Sequence, residues 1–198
     1  MYKYLLLISI ALFHNVSLKA QDTIRLSHKK YITVFSKSLK YPVLVEWWVT
    51  KKDVSCTNPI PRKDKFQPDP LLAAETDLAI DYKGSGFDRG HMAPAANNSQ
   101  NDQIMSESFF LSNMVAQIAN NNRGAWRLLE SAERQWASQP GTDFYIISGG
   151  IYDPGHPVTG NGLGIPTRLY KIIIEKNSRQ VQAYLMPNAP ISPATDWP

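Results

Sequence analysis

The residues best suited to acid–base chemistry lie in one short segment rich in glycine. Residues 81–91 contain three glycines and end in Asp88-Arg89-Gly90-His91. An imidazole, with an ordinary pKa of about 6.5, is a natural general base near neutral pH, and the planar guanidinium of Arg89 suits phosphate oxygens. Glycines let the backbone approach a ligand closely. The segment predicts a loop that brings a base and a cation to a phosphate, although a single histidine in a loop is more often structural.

A second cluster is rich in side-chain amides. The amides are Asn113, Gln117, Asn120, Asn121 and Asn122, directly before Arg123-Gly124-Ala125-Trp126. Amide oxygens suit hard cations such as Mg²⁺, which takes oxygen ligands and keeps several of its waters. A neutral ligand also leaves the charge of the ion undiminished, which favours stabilisation of a charged phosphorus centre. Asparagine is equally a preferred helix N-cap, and on composition alone the cap is the commoner use.

Periodic apolar residues indicate the elements that must position these groups. In residues 41–50 every second side chain is apolar, which predicts a largely buried strand. Downstream of Asn122 a stripe with helical spacing consists of Ala125, Leu129, Ala132 and Trp136. Further strands are predicted for residues 144–148, 168–175 and 180–186, the last two as a hairpin. Four prolines in residues 56–71 predict an extended surface loop. Strands, one strong helix and long loops favour an α+β fold on a mainly antiparallel sheet.

The composition bounds the class of protein. A chain of 198 residues with 43% hydrophobic residues fits one globular domain, and a formal charge of +4 permits an anionic partner without requiring one. The single cysteine, Cys56, excludes an intrachain disulfide and a cysteine-rich zinc site. The sequence also lacks the P-loop, the dinucleotide-binding glycine motif, the nucleophile elbow of hydrolases and the paired-histidine zinc motif.

The first twenty residues have the pattern of a secretory signal peptide. Lys3 precedes an apolar run at residues 5–13, and Ala20 offers a small residue at a cleavage site. The run is shorter than the roughly 20 residues that a membrane-spanning helix needs. We therefore expect residues 1–20 to be a signal peptide, residues 21–198 to form the domain, a secreted or periplasmic location, and no stable membrane association.

The two clusters together resemble a known family. The residues Asp88-Arg89-Gly90-His91-Met92-Ala93-Pro94-Ala95-Ala96-Asn97, then Leu111-Ser112-Asn113-Met114, then Asn122-Arg123-Gly124-Ala125-Trp126, closely resemble the DNA/RNA non-specific endonuclease family. That family includes mitochondrial endonuclease G and belongs to the ββα-metal, or His-Me finger, nucleases. The resemblance implies a ββα-metal fold, with a central, mainly antiparallel sheet flanked by helices and long loops.

The resemblance also implies roles for individual residues. His91 matches the general base of the family, and Asn122 matches the single direct protein ligand of its Mg²⁺, for which Mn²⁺ is an alternative. Arg89 matches a phosphate contact, Asn113 an amide that holds the catalytic cluster, and Arg62 a second arginine that stabilises the transition state. Glu130 matches an acid that orients water at the metal. Eight residues of helix rise about 12 Å, so Glu130 cannot share the ion directly with Asn122 and is expected to act through water.

The implied function is metal-dependent hydrolysis of DNA and RNA with little sequence or sugar specificity. Two alternatives stay open: a catalytically silent nuclease-like binding module, and a phosphodiesterase acting on small nucleotides. Relatives usually continue beyond the position that matches Pro198, so we expect the domain to be short at its C-terminus. The oligomeric state is open, with a homodimer among the possibilities.

Overall fold

The structure is a computed structural model, and it describes residues 22–72, 82–160 and 162–191. The predicted signal peptide, residues 1–20, lies outside these described residues. Within them, no helix is long and apolar enough to cross a membrane.

A six-stranded antiparallel sheet forms the centre of the molecule. Its strands are Thr23–Ser27 (β1), Tyr31–Ser36 (β2), Tyr41–Val49 (β3), Phe144–Ile151 (β6), Arg168–Glu175 (β7) and Val181–Pro187 (β8). They lie side by side in the order β1-β2-β3-β6-β7-β8. The strands predicted near residues 41–50, 144–148, 168–175 and 180–186 are all present, and each pair of neighbours is antiparallel.

The Asp88–His91 segment is a strand, which corrects the prediction of a loop there. Asp88–His91 (β4) pairs antiparallel with Met114–Gln117 (β5), with His91 opposite Met114. Gly90 serves this pairing because a Cβ at its position would lie 2.0 Å from Oε1 of Gln117. The glycine therefore gives β5 room rather than providing a turn.

Four short helices accompany the sheets. They are Lys51–Val54 (α1), Asp102–Ser108 (α2), Ala119–Asn121 (α3) and Arg127–Ala137 (α4). Between α3 and α4 the chain runs through a wide π turn, Asn122–Trp126, in which Gly124 leaves helical geometry at φ −105° and ψ −109°. The helix predicted downstream of Asn122 is thus present, and it begins with an irregular turn, a feature often found at functional sites.

The buried face of α4 differs from the predicted apolar stripe. Ala125 and Leu129 are buried as expected, but the line continues through Glu133 and Ala137, while Ala132 and Trp136 are half-buried. A periodicity search counts only apolar residues and so cannot place a glutamate on this face. Glu133 is accommodated there because a buried lysine, Lys171 of β7, lies opposite it.

The main core lies between the sheet and the segment that runs from β5 through α4. Val45, Trp47 and Val49 of β3 point into this core, as the alternation predicted. Trp126 and Leu129 from the π turn and α4 pack against them. The architecture is the expected α+β fold on a mainly antiparallel sheet, and the core fixes β4, β5 and the π turn against one face of it.

Candidate active site

One pocket of about 530 Å³ collects most of the residues singled out in the sequence. Its wall combines the loop that contains Arg62, strand β4, the π turn and the start of α4. Five of the six predicted site residues line it: Arg62, Arg89, His91, Asn122 and Glu130. The sixth, Asn113, is fully buried behind the wall.

His91 presents a neutral, deeply buried imidazole. Its residue is only 8% exposed, and its ring packs edge-on against Phe109 with centroids 4.9 Å apart and lies 5.7 Å from Phe66. Burial, and then the positive charge of Arg62, lowers the pKa of His91 to about 3. No group of the described residues hydrogen-bonds to its Nε2. The ring can therefore accept a proton at neutral pH.

The backbone around His91 is held by two side chains behind the pocket. Nε1 of Trp126 donates to the carbonyl oxygen of His91 at 3.3 Å. Asn113 accepts from the amide of Ala93 and donates to the carbonyl oxygens of Ala93 and Ser108, each at 2.9 Å. Asn113 thus clamps the chain just after His91, a placement compatible with the holding role that the resemblance implied.

Asn122 is oriented by Asp88, a residue of the quoted motif for which the sequence suggested no role. Nδ2 of Asn122 donates to Oδ2 of Asp88 at 2.8 Å, while Arg123 donates to both carboxylate oxygens at 2.8 and 2.7 Å. These hydrogen bonds, led by that from Arg123, lower the pKa of Asp88. Because the bond uses the nitrogen of the amide, its oxygen Oδ1 is the end left for a cation, and no donor from the described ranges occupies it.

Two arginines reach the pocket over aromatic rings. The guanidinium carbon of Arg89 lies 5.0 Å from the ring centroid of Phe66 and 5.6 Å from that of Tyr82. That of Arg62 lies 5.1 Å from the centroid of Phe109, and its Nε bonds Asp64 at 2.7 Å. Cation–π contacts hold a charge in place without neutralising it. Phe66, which contacts both Arg89 and His91, gave no signal in the sequence beyond its place in the proline-rich loop.

Glu130 completes the wall on the first turns of α4. It is half-buried as a residue, and burial raises the pKa of its carboxyl to about 7. The positive charges of Lys171, Arg134 and Arg62 oppose this rise, whereas Glu133 adds to it. The carboxyl therefore changes charge close to neutral pH.

The oxygen atoms of the pocket fit a mostly hydrated cation. In the part of the chain that the structure describes, no three histidine, cysteine or acidic side chains are placed to hold a metal together. What the pocket offers instead is the amide oxygen of Asn122, with the carboxylates of Asp64, Asp88 and Glu130 in its wall. Magnesium commonly keeps several waters and uses few protein oxygens, so this donor set suits it.

The chain matches several nucleases. A mitochondrial nuclease EXOG from Danio rerio is 36% identical over 149 residues, covering 64% of this chain and 42% of the relative. Mitochondrial endonuclease G from Homo sapiens is 34% identical, covering 66% and 48%. Mitochondrial nuclease 1 from Schizosaccharomyces pombe is 30% identical, covering 82% and 56%. The chain spans about half the length of these curated relatives.

Their names correct one prediction. These relatives are mitochondrial nucleases, so the secreted or periplasmic location expected from the first twenty residues is contradicted. A signal-like pattern of one charge and a short apolar run is a weak basis for a location.

The fold and the family agree. A crystal structure of the EndoG/EndoGI complex, a study of EndoG inhibition, superposes with a TM-score of 0.77 at 29% identity, covering 86% of this chain and 76% of that one. The order β4, β5, π turn and α4 is the ββα unit that the resemblance implied. The model of the DNA/RNA non-specific endonucleases matches residues 10–198, and the chain therefore belongs to the DNA/RNA non-specific endonuclease family.

Proposed function

We propose that this protein is a magnesium-dependent endonuclease that hydrolyses phosphodiester bonds of DNA and RNA with little sequence or sugar specificity. The observation that carries the proposal is the pocket itself: a neutral, unbonded His91 Nε2 shares one wall with the Asn122 amide and two arginines. A base, a cation ligand and fixed positive charge are the groups that phosphodiester hydrolysis requires.

His91 acts as the general base on the attacking water. Its Nε2 takes the proton while the water oxygen forms a bond to phosphorus, and the bond to the leaving oxygen then breaks as that oxygen gains a proton. The low pKa of His91 keeps the imidazole unprotonated before each turnover. The clamp formed by Asn113 and Trp126 fixes the ring against the pocket.

Asn122 would hold the metal ion through Oδ1, with Asp88 fixing the amide so that its oxygen stays available. A bound magnesium ion supplies positive charge that stabilises the phosphate as its negative charge grows. Glu130 would orient water beside the ion, a role that requires its carboxylate form.

Arg89 and Arg62 bind phosphate oxygens. Their guanidinium groups face the pocket while the rings of Phe66 and Phe109 hold them. Contacts to the phosphate backbone position a nucleic acid without reading its bases. The broad specificity in the proposal follows from a wall dominated by such phosphate-directed groups.

The test is digestion of a supercoiled plasmid and of an RNA, with a dinucleotide as the small substrate. Wild-type protein should cut both polymers, lose this activity in EDTA, and regain it with Mg²⁺ or Mn²⁺. The matched control is His91→Ala, which should bind the plasmid and leave it intact.

Two outcomes would overturn the proposal. Binding of the polymers without cleavage in restored metal indicates a silent binding module. Faster hydrolysis of the dinucleotide than of the plasmid indicates a small-nucleotide phosphodiesterase.

A further inference from the structure

Lys171 is a charged residue in the middle of the apolar core. It lies on β7 with its side chain 0% exposed, and its Nζ sits 4.3 Å from the ring centroid of Trp126 and 5.8 Å from that of Trp47. Its ion partner is Glu133 of α4, 1% exposed, with Nζ 2.8 Å from Oε1. Burying such a pair is costly, and apolar residues of similar volume often stabilise a core as well or better. Stability alone therefore gives no reason for this pair.

The position of the pair connects the central sheet to the proposed site. Glu133 follows Glu130 by three residues on α4, a spacing that places the two side chains next to each other on the helix. Trp126, against which the ammonium of Lys171 packs, also donates to the carbonyl oxygen of His91. Lys171 thus touches the turn that supports the base and the helix that carries the acid.

We propose that Lys171 is a positioning residue for Glu130 in the reaction proposed above: by pairing with Glu133 it fixes this face of α4 and supplies the buried positive charge that keeps the Glu130 carboxylate in place and ionised.

The charges around Glu130 give this role a definite sign. Lys171 faces it from β7, Glu133 and Arg134 from α4, and Arg62 from the proline-rich loop. Glu133 in turn faces Tyr184 of β8. Lys171 opposes the rise in the Glu130 pKa that burial causes, whereas Glu133 adds to it. Removal of the lysine charge and removal of the Glu133 charge should therefore move Glu130 in opposite directions.

The experiment is a ¹³C NMR titration of the glutamate carboxyls in the metal-free protein. The Glu130 resonance is the one missing in Glu130→Gln. In Lys171→Met its midpoint should rise by about one pH unit, the size typical of removing a nearby opposite charge. In Glu133→Gln it should fall. The matched control is Lys176→Met, which removes the same charge from an exposed lysine just after β7, paired with Asp143, and should shift nothing.

The pH profile of cleavage provides the second readout. The acid limb of kcat/KM should move upward in Lys171→Met and downward in Glu133→Gln, and neither change should appear in a Glu130→Gln background. A merely structural role would lower activity at every pH and leave the limb in place.

Two results would overturn the inference: a Lys171→Met midpoint equal to that of Lys176→Met, or core variants that shift in the same direction. If Lys171→Met does not fold, Glu133→Gln carries the test, and a rise or no change in its midpoint overturns the inference. The NMR titration needs no nuclease activity, so a protein that cuts nothing defeats the proposed function separately.

Discussion

The six-stranded sheet and the ββα unit beside it are held together in different ways. The sheet relies on backbone pairing in continuous register, as from β3 through β6 to β7, and on alternating apolar side chains such as Val45 and Trp47. The ββα unit has only four residues in each strand, and its backbone is fastened by side-chain amides. The difference teaches that the chemistry of this protein sits where regular backbone pairing runs out.

Asparagines do most of the fastening in the ββα unit. Asn188 donates to the carbonyl oxygens of Ala116 and Pro166, both at 2.9 Å, and accepts from the amide of Ile118 at 2.8 Å. Asn121 donates to the carbonyl oxygen of Pro187 at 2.9 Å. These bonds tie the end of β8 to the segment between β5 and the π turn. Apolar residues could not replace them, because the carbonyl and amide groups would be left unpaired.

The largest expected effect separates the two key groups of the ββα unit. His91→Ala should lower the cleavage rate at least ~100-fold, the usual size for removal of a general base, and added Mg²⁺ should not restore it. Asn122→Ala should also lose cleavage, but raising the Mg²⁺ concentration should recover part of the rate because the variant has lost affinity for the ion. A metal titration of both variants measures this, and the control is unchanged plasmid binding by each.

Equal responses of the two variants to Mg²⁺ would contradict these roles. Near-normal cleavage by either variant would do the same.

A smaller effect is expected in the pH dependence. His91, with a pKa near 3, stays neutral through the physiological range, whereas Glu130, with a pKa near 7, loses its charge as pH falls through neutrality. Since Glu130 must be ionised, kcat/KM should decrease up to about tenfold per unit below pH 7, the slope for one titrating group. A rate profile from pH 4 to 9 measures the limb.

The comparison with Glu130→Gln assigns this limb. The variant should be slow at every pH and show no limb near 7. A limb that persists there would place the titration on another group.

The stability of the folded protein should depend most on the clamp. Asn113→Ala leaves the amide of Ala93 and two carbonyl oxygens without a partner in a fully buried site. Each unpaired buried group costs on the order of 1–3 kcal/mol, so the free energy of unfolding should fall by about 3 kcal/mol or more. Urea denaturation at equilibrium measures it. A loss below ~1 kcal/mol would mean that Asn113 does not hold the chain after His91.

The sequence predicted the sheet better than the site, for a physical reason. Strand β3 follows from its own alternation, because one face of a buried strand must be apolar. The motif residues led to five of the six side chains in the pocket wall. Strand β4 was missed because its four residues contain no apolar alternation, and its pairing depends on Gly90 making room for Gln117.

The buried charges were out of reach of sequence reasoning altogether. Glu133 has the same polarity as the exposed acids of a helix, and only the proximity of Lys171, 38 residues later in the chain and on another element, makes its burial possible. Likewise, nothing local marks Phe66 as the ring beneath Arg89. Such contacts arise from the fold and not from spacing.

The smallest expected effect lies in the sheet and contrasts with the clamp. Thr33 of β2 is fully buried, and its Oγ1 has no hydrogen-bond partner among the described residues. Thr33→Val keeps the shape and removes the unpaired hydroxyl, so the free energy of unfolding should stay the same or rise by up to ~1 kcal/mol. The matched control is the reverse change at its register partner, Val45→Thr, which should cost about 1–3 kcal/mol by burying a hydroxyl. Both are measured by urea denaturation beside Asn113→Ala. If Thr33→Val destabilised the protein as much as Asn113→Ala does, the sheet would depend on polar side chains as the ββα unit does, and the contrast between the two regions would fail.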